Sequence, residues 1–189
     1  MGEVKWSDVK KIAQSQLGYT EGPKENQTKY AAELDAISYF NYAKQYIPWC
    51  CTYTSWCIYK ASNPDPKGTA LAAQYQPAKD NCGCGVKFNA DYYKKKNKFF
   101  STPKEGDVFF TKEYTHTGFV LEVYSNGTFK TNEGNHENKV ANVIRNVSDM
   151  AGFGRPWYTA ESPSETEVNI TVKVNAPEGV KVNIKVEKE

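Results

Sequence analysis

The stretch PWCCTYTSWC at residues 48–57 constrains the fold of this chain more than any other. Proline fixes its own φ and disfavours helical geometry in the residue before it, so a helix is predicted to begin just after Pro48. Cys50 then lies in the first turn, where unpaired backbone N–H groups and the helix dipole stabilise an anion such as a thiolate. Apolar residues at helical spacing continue the same face towards the core. The pattern predicts a buried helix with a candidate nucleophile at its start.

Cys50 also has a simpler interpretation, as a small core residue. Cysteine is among the most buried residue types, and most cysteines in apolar stretches serve packing alone. A catalytic cysteine needs in addition a general base and a group that orients the base. The rest of the chain must supply both.

The chain has two histidines, and His116 is the better candidate base. It precedes the apolar strand GFVL, where an imidazole has a fixed backbone and a partly dry setting and can take a proton from a thiol at neutral pH. His136 lies in the polar loop NHEN and is expected to be solvated. Glu133 or Asn135, at the end of the strand paired with the His116 strand, would orient the ring. Singly these are ordinary strand and hairpin residues, but together they supply all three roles.

Aromatic residues are plentiful, with 13 tyrosines, 9 phenylalanines and 4 tryptophans, which suits a cleft with aromatic walls as well as a core. The predicted substrate contacts are the aromatic residues near the candidate nucleophile and base, Trp49, Trp56 and Tyr114.

The hydrophobic period changes from helical to alternating near residue 103. The first helix is predicted to begin with Trp6 as a staple residue and Ser7 as N-cap, and to end at Gly18. Strands are predicted at residues 107–111, 116–124, 128–133, 140–147 and 153–158, with an Asn-Gly hairpin turn at residues 126–127. Helices followed by strands indicate an α+β domain, in which helices pack on a small antiparallel sheet.

Composition excludes several classes of protein. The net charge of +2 is too small to argue for nucleic acid, and no apolar run reaches the length of a membrane span. The first residues lack the apolar run of a secretory signal, so the chain is expected to be made in the cytoplasm. Five cysteines cannot form a complete disulfide framework. Cys82 and Cys84 have no second pair beside them, so no zinc site is predicted.

Several motifs resemble those of CHAP domains, the cysteine- and histidine-dependent amidohydrolases/peptidases that cut bacterial peptidoglycan. PWCCTYTSWC resembles the nucleophile segment of that family, and LGYTEGPKENQTKY is similar to the stretch that precedes it in phage and prophage lysins. PKEGDVFF, HTGFVLEV, TNEGN and GFGRPWY follow in the order of the family. The resemblance covers roughly residues 7–158.

By position, the resemblance implies that Cys50 is the nucleophile, His116 the base, Glu133 the acid and Asn135 a supporting amide. It also implies a papain-like fold, with the helix that carries the cysteine packed on a small antiparallel sheet. At the position of Cys51 the family more often has a small residue such as alanine. This chain therefore has two adjacent thiols, Cys50 and Cys51. Some members bind calcium through an acidic loop ahead of the cysteine. This chain has no matching Asp-rich motif, so no metal or cofactor is predicted.

The expected function is therefore that of an endolysin-like peptidoglycan hydrolase, which acts on the bacterial cell wall after release from the cell. An N-acetylmuramoyl-L-alanine amidase is the first hypothesis. An endopeptidase that cuts stem or cross-bridge peptides would use the same residues, because subsite contacts lie in loops. A non-catalytic wall-binding protein and an interbacterial toxin of the same chemistry are further alternatives. The sequence does not indicate an oligomeric state.

Residues 1–160 are predicted to form the catalytic domain and residues 161–167 a linker. Residues 168–174 and 180–186 alternate apolar and polar side chains, which predicts a β-hairpin over residues 168–189. An isolated hairpin is only marginally stable. It is expected either to pack as an edge of the main domain or to belong to a wall-binding module.

Overall fold

Helices occupy the first half of the chain and strands the second, as the change of hydrophobic period predicts. The computed structural model describes residues 4–37, 43–62 and 83–161. Within these residues the helices are α1 (Trp6–Ser15), α2 (Lys29–Asp35), α3 (Cys50–Ala61) and α4 (Val86–Lys95). The strands are β1 (Phe99–Phe100), β2 (Val108–Thr111), β3 (Thr117–Val123), β4 (Thr128–His136), β5 (Lys139–Asn146) and β6 (Met150–Gly154), with a 3₁₀ turn at Val147–Asp149. The predicted α+β class is confirmed.

The six strands form one antiparallel sheet in the order β1-β6-β2-β3-β4-β5. Strands β2 to β5 pair with their neighbours in sequence, whereas β6 returns to lie between β1 and β2. The predicted Asn-Gly turn joins β3 to β4, with Gly127 at a φ of +82° and the Thr128 N–H donating to the Asn126 side chain. Strands β3 and β4 therefore lie inside the sheet.

Helix α3 is surrounded by protein, since it contacts α1, α2, β3 and β4. All nine residues from Cys50 to Ile58 are buried, so this part of the helix has no solvent-exposed face, as expected of a core helix. The Tyr53 hydroxyl lies 2.7 Å from Oδ1 of Asn132 on β4 and 3.0 Å from the Ala13 carbonyl oxygen on α1. These contacts fix α3 against β4.

Gly134 permits the close approach of α3 to β4. A Cβ atom at this position would lie 2.5 Å from the Cβ of Tyr53 and 2.9 Å from Cζ3 of Trp49, closer than real side chains come. Close backbone approach is a common reason for glycine inside a strand. The glycine of the Glu-Gly-Asn sequence therefore sets the distance between the start of α3 and the end of β4.

The sheet has a core on each face, and β2 contributes to both. Val108 and Phe110 pack with the helices in the larger cluster. Phe109, which lies between them in the sequence, packs with Phe129 and Phe153 in a smaller cluster. Alternate residues of a strand point to opposite faces, so this division follows from the strand geometry.

Tertiary contacts shift several predicted boundaries. Helix α1 begins at Trp6 with Lys5 as N-cap, so the prediction of Ser7 as N-cap is wrong; the Ser7 hydroxyl donates instead to Glu161 (2.9 Å). Strand β6 begins at Met150 and ends at Gly154, ahead of the predicted residues 153–158. Strand β4 extends to His136, which places Glu133 inside the strand and not at its end.

The predicted hairpin at residues 168–189, the linker beyond residue 161 and Cys82 all lie outside the described residues. Among the helices of the described ranges, none combines the length and the apolar character that crossing a membrane requires.

Candidate active site

Cys50 is the first residue of α3, which confirms the helix start predicted from Pro48. The first hydrogen bond inside the helix runs from the Tyr53 N–H to the Trp49 carbonyl (2.8 Å). The Cys50 N–H therefore precedes the hydrogen bonds of the helix itself. Cys50 is 2% exposed, so the sulfur lies in a nearly dry position at the positive end of the helix dipole.

His116 lies immediately ahead of β3, where its ring meets the carboxylate of Glu133. Its backbone N–H donates to Oγ1 of Thr111 (3.1 Å), and its ring centroid lies 5.9 Å from that of Phe109. Its Nε2 atom lies 2.7 Å from Oε2 of Glu133, and the Cys50 side chain is close enough to raise the pKa of the ring. Because Nε2 faces Glu133, Nδ1 is the ring nitrogen left for the sulfur.

Glu133 has a fully buried side chain whose two oxygens are both in use. Its Oε1 accepts from Nε of Arg145 (2.8 Å) and from the hydroxyl of Thr131 (2.5 Å). Its Oε2 accepts from Nη2 of Arg145 (2.6 Å) as well as from His116. Gly118 leaves room for this carboxylate, because a Cβ there would lie 2.9 Å from Cγ of Glu133. The site thus contains a buried and fully paired negative charge.

The surroundings of His116 and Glu133 favour the charged form of each. Burial opposes the imidazolium, but the interactions with Cys50 and Glu133 outweigh it and raise the pKa of His116 to about 9. Burial also opposes the carboxylate, but Arg145, His116 and Thr131 outweigh it and lower the pKa of Glu133 to about 2. At neutral pH the imidazole is therefore protonated and the carboxylate ionised, so the two groups form an ion pair.

Asn135 does not contact the His116 ring. The residue has a φ of +57°, and its side-chain amide donates to Oδ1 of Asn26, in the loop ahead of α2, at 3.4 Å. The carboxylate of Glu133 therefore contacts the ring, whereas the amide of Asn135 links the end of β4 to that loop. His136 is half-buried, with Nδ1 at 3.7 Å from Oε2 of Glu133, and is less solvated than its polar loop predicts.

Two of the three predicted substrate contacts are core residues. Trp49 has no exposed surface and Trp56 is 5% exposed. Their indole N–H groups donate to Glu21 and Glu33, each at 2.9 Å. Both rings pack in the larger core cluster, and as substrate contacts Trp49 and Trp56 stay predictions. Trp56 lies within the buried part of α3, and Trp49 is the residue just ahead of the helix.

Tyr114 is half-buried and lies two residues ahead of His116. Its φ of +56° is unusual for an aromatic residue. The hydroxyl lies 2.7 Å from Nζ of Lys94 on α4, and the ammonium groups of Lys94 and Lys87 lie 4.5 Å and 5.4 Å from the ring centroid. Tyr114 stays a predicted substrate contact.

The described cysteines other than Cys50 belong to the interior. Cys51, Cys57 and Cys84 are buried, and none of the four cysteines in the described ranges forms a disulfide. Burial raises the pKa of the Cys57 thiol far above its ordinary value. Within the described part of the chain, no group of three or more His, Cys, Asp or Glu side chains is placed to hold a metal ion.

Arg145 is the residue of the site that the sequence analysis missed. The strand that carries Arg145 is predicted from the sequence, but the contact of Arg145 with Glu133 is not. Residue Arg145 of β5 lies opposite Phe129 of β4, on the same face as Glu133. Arg145 lies four residues along β5 from Ala141, which is opposite Glu133. Its contact with Glu133 can therefore be predicted only once the register of the two strands is known.

Comparison with protein families gives a match to the CHAP domain over residues 40–135. This segment is half of the chain of 189 residues. It begins ahead of α3 and includes Cys50, His116 and Glu133, whereas Arg145 lies beyond it. Neither the curated proteins nor the solved structures give a match.

Proposed function

Because this chain belongs to the CHAP domain family, we propose that it hydrolyses an amide bond of bacterial peptidoglycan with Cys50 as nucleophile. CHAP domains are typically cysteine- and histidine-dependent hydrolases. The observation that carries the proposal is the His116 ring, which is bonded to the buried carboxylate of Glu133 and has its pKa raised by the Cys50 side chain. A thiol, a base and an orienting carboxylate are the groups that thiol-dependent amide cleavage requires.

In the first half of the proposed reaction, the Cys50 thiolate attacks the amide carbonyl carbon and forms a C–S bond. The electron pair of the C=O π bond moves to oxygen, where the Cys50 N–H at the start of α3 donates a hydrogen bond to it. The oxyanion then re-forms the carbonyl, the C–N bond breaks, and His116 gives its Nδ1 proton to the leaving nitrogen. The products are a free amine and a thioester on Cys50.

In the second half, the neutral His116 takes a proton from a water molecule, whose oxygen attacks the thioester carbonyl. The C–S bond breaks, the acyl group leaves as a carboxylic acid, and Cys50 returns as a thiolate beside an imidazolium. Glu133 holds Nε2 throughout, which keeps Nδ1 towards the reacting atoms and stabilises the ring when it is charged. Asn135 supports the site indirectly, through its bond to Asn26.

The bond that we propose for cleavage is the one between the lactyl group of N-acetylmuramic acid and L-alanine. Mass analysis of digested walls tests this proposal directly. New amino ends on L-alanine, together with free lactyl carboxyls on the glycan, are the expected products. New ends within the stem or cross-bridge peptides would instead identify an endopeptidase, with the same three side chains in the same roles.

The proposed biological role is lysis of a bacterial cell by a phage or prophage. Its support is the likeness of residues 17–30 to the corresponding stretch of phage and prophage lysins. Purified protein added to bacterial walls is expected to clear them, with Cys50→Ser as the inactive control. Walls that bind the protein but release no new amino ends would show a wall-binding protein without catalysis.

A further inference from the structure

Arg145 and His116 share one buried carboxylate. Nη2 of Arg145 lies 2.6 Å from Oε2 of Glu133, the same oxygen that lies 2.7 Å from Nε2 of His116. Nε of Arg145 occupies the other oxygen at 2.8 Å. We propose that Arg145 is a positioning residue that sets the pH range in which Cys50 and His116 work, because it fixes the ionised carboxylate and draws part of its charge away from the imidazole. This inference rests on the proposed function of the site.

The geometry of the pair supports this role. Two parallel N–H···O bonds from a guanidinium hold a carboxylate in one plane, which a single donor cannot do. The side chain of Glu133 has no exposed surface and that of Arg145 is 26% exposed, so solvent screens the pair little. The guanidinium lies 5.7 Å from the centroid of Phe109, whose ring also packs against His116. Arg145, Glu133 and His116 therefore form one packed unit on the same side of the sheet.

The charged groups around Arg145, Glu133 and His116 determine whether loss of Arg145 makes the imidazole hold its proton more or less strongly. His116 faces Cys50 from α3 and Glu133 from β4, while the groups that reach it from β2 are the neutral Thr111 and Phe109. Glu133 faces His116, Arg145, the hydroxyl of Thr131 and, at 3.7 Å, His136. Asp149 also acts electrostatically on Arg145.

Arg145 is thus the permanent positive charge in direct contact with the carboxylate. Removal of a positive charge makes every neighbouring group bind protons more strongly. Without Arg145, His116 should keep its proton to a higher pH, and Glu133 should take up a proton at a higher pH. Both limbs of the pH–activity profile of wall cleavage should therefore shift together to higher pH.

NMR titration of the His116 ring tests the inference without any need for catalysis. The chain has two histidines, so the two ring Hε1 signals are assigned by comparison with a His136→Asn variant. We expect Arg145→Met to raise the titration midpoint of His116 by about one pH unit. Arg145→Lys keeps the charge but loses the two-pronged geometry, so a smaller rise is expected. The lysine variant decides the question if the methionine variant does not fold.

Arg155 provides a matched control. It makes the same two-pronged contact with a buried carboxylate, Asp107, with both bonds at 2.8 Å. Arg155→Met is expected to lower stability but to leave the His116 midpoint unchanged. An unchanged or lowered midpoint in the folded Arg145 variants, or an equal rise in Arg155→Met, would overturn the inference.

The pH profile of wall cleavage separates the two proposals. If wild-type protein releases no amino ends from walls while the His116 midpoint moves as expected, the proposed hydrolase function fails and the effect of Arg145 on the ring stands. If wild-type protein cleaves walls but both limbs of the profile are the same in folded Arg145→Met, the function stands and Arg145 serves the fold alone.

Discussion

Nε2 of His116 lies 2.7 Å from an oxygen of Glu133, a carboxylate whose side chain has no exposed surface. Such a bond is stronger in a poorly solvated interior than in water, and it holds the imidazole in one orientation. It leaves Nδ1 for Cys50 and so couples the end of β4 to the start of α3.

Cys50→Ser and His116→Ala should each abolish wall cleavage while leaving the fold intact. Loss of the thiolate is expected to lower the rate by about 10³-fold or more, and loss of the proton-transfer group by about 10²–10⁴-fold. Release of amino ends from purified walls measures the rate, and far-ultraviolet circular dichroism checks the fold. Full lysis by either folded variant would refute the assignment.

Cys51→Ala should retain most of the activity, because Cys51 is a fully buried core residue and the His116 ring faces Cys50. The substitution removes a small buried side chain and is expected to lower stability by about 1 kcal/mol. Alkylation by iodoacetamide, located by fragmentation of the tryptic peptide, should occur at Cys50. An inactive Cys51→Ala protein beside an active Cys50→Ser protein would reverse the identity of the nucleophile.

Glu133→Gln should lower both activity and stability. The amide cannot neutralise Arg145, and loss of one partner of a buried ion pair is expected to lower the free energy of unfolding by about 3 kcal/mol. The rate of wall cleavage should fall by up to about 10⁴-fold, because the ring loses its orienting charge.

Asp107→Asn is the control for Glu133→Gln, since it also leaves a buried arginine without its carboxylate. It should lower stability while wall cleavage per folded molecule stays near the wild-type rate. Equal losses of cleavage in both variants would mean that Glu133 acts through the fold alone.

The free energy of unfolding should decline on the alkaline side because of His116. The folded-state pKa of about 9 exceeds the ordinary value of 6.5, so this contribution is complete below pH 6.5 and is lost as the pH rises through 9. The loss is expected to be on the order of 1–3 kcal/mol. Urea unfolding of the wild type and of His116→Gln between pH 6 and pH 10 measures it. Parallel pH dependences in the two proteins would contradict the raised pKa.

Gly134→Ala should destabilise the protein and slow cleavage, because the added methyl group would lie within 2.9 Å of both Tyr53 and Trp49. Overpacking of this kind costs about 1–3 kcal/mol, and it would push the start of α3 away from β4. The melting temperature and the cleavage rate are the measurements. Gly18→Asn is the comparison, because a side chain at Gly18 meets open space and asparagine tolerates a positive φ; it should preserve the rate.

Local patterns in the sequence are enough to place the backbone around Cys50 and His116, the candidate nucleophile and base. Pro48 predicts the start of α3 and hence the position of Cys50, and an Asn-Gly turn predicts the pairing of β3 with β4. These signals work because proline geometry and hairpin turns depend on a few neighbouring residues. The motif order around Cys50, His116 and Glu133 also indicated the CHAP family, which the match over residues 40–135 confirms.

Tertiary structure alone decided which side chains meet. The ring of His116 bonds to Glu133 and not to Asn135, Arg145 reaches Glu133 from β5, and the indoles of Trp49 and Trp56 turn into the core. Contacts between strands depend on register, since a shift of one residue moves every side chain to the opposite face. Burial of a helix on all sides depends on the elements that pack around it, and neither property is encoded in the spacing of residues along one segment.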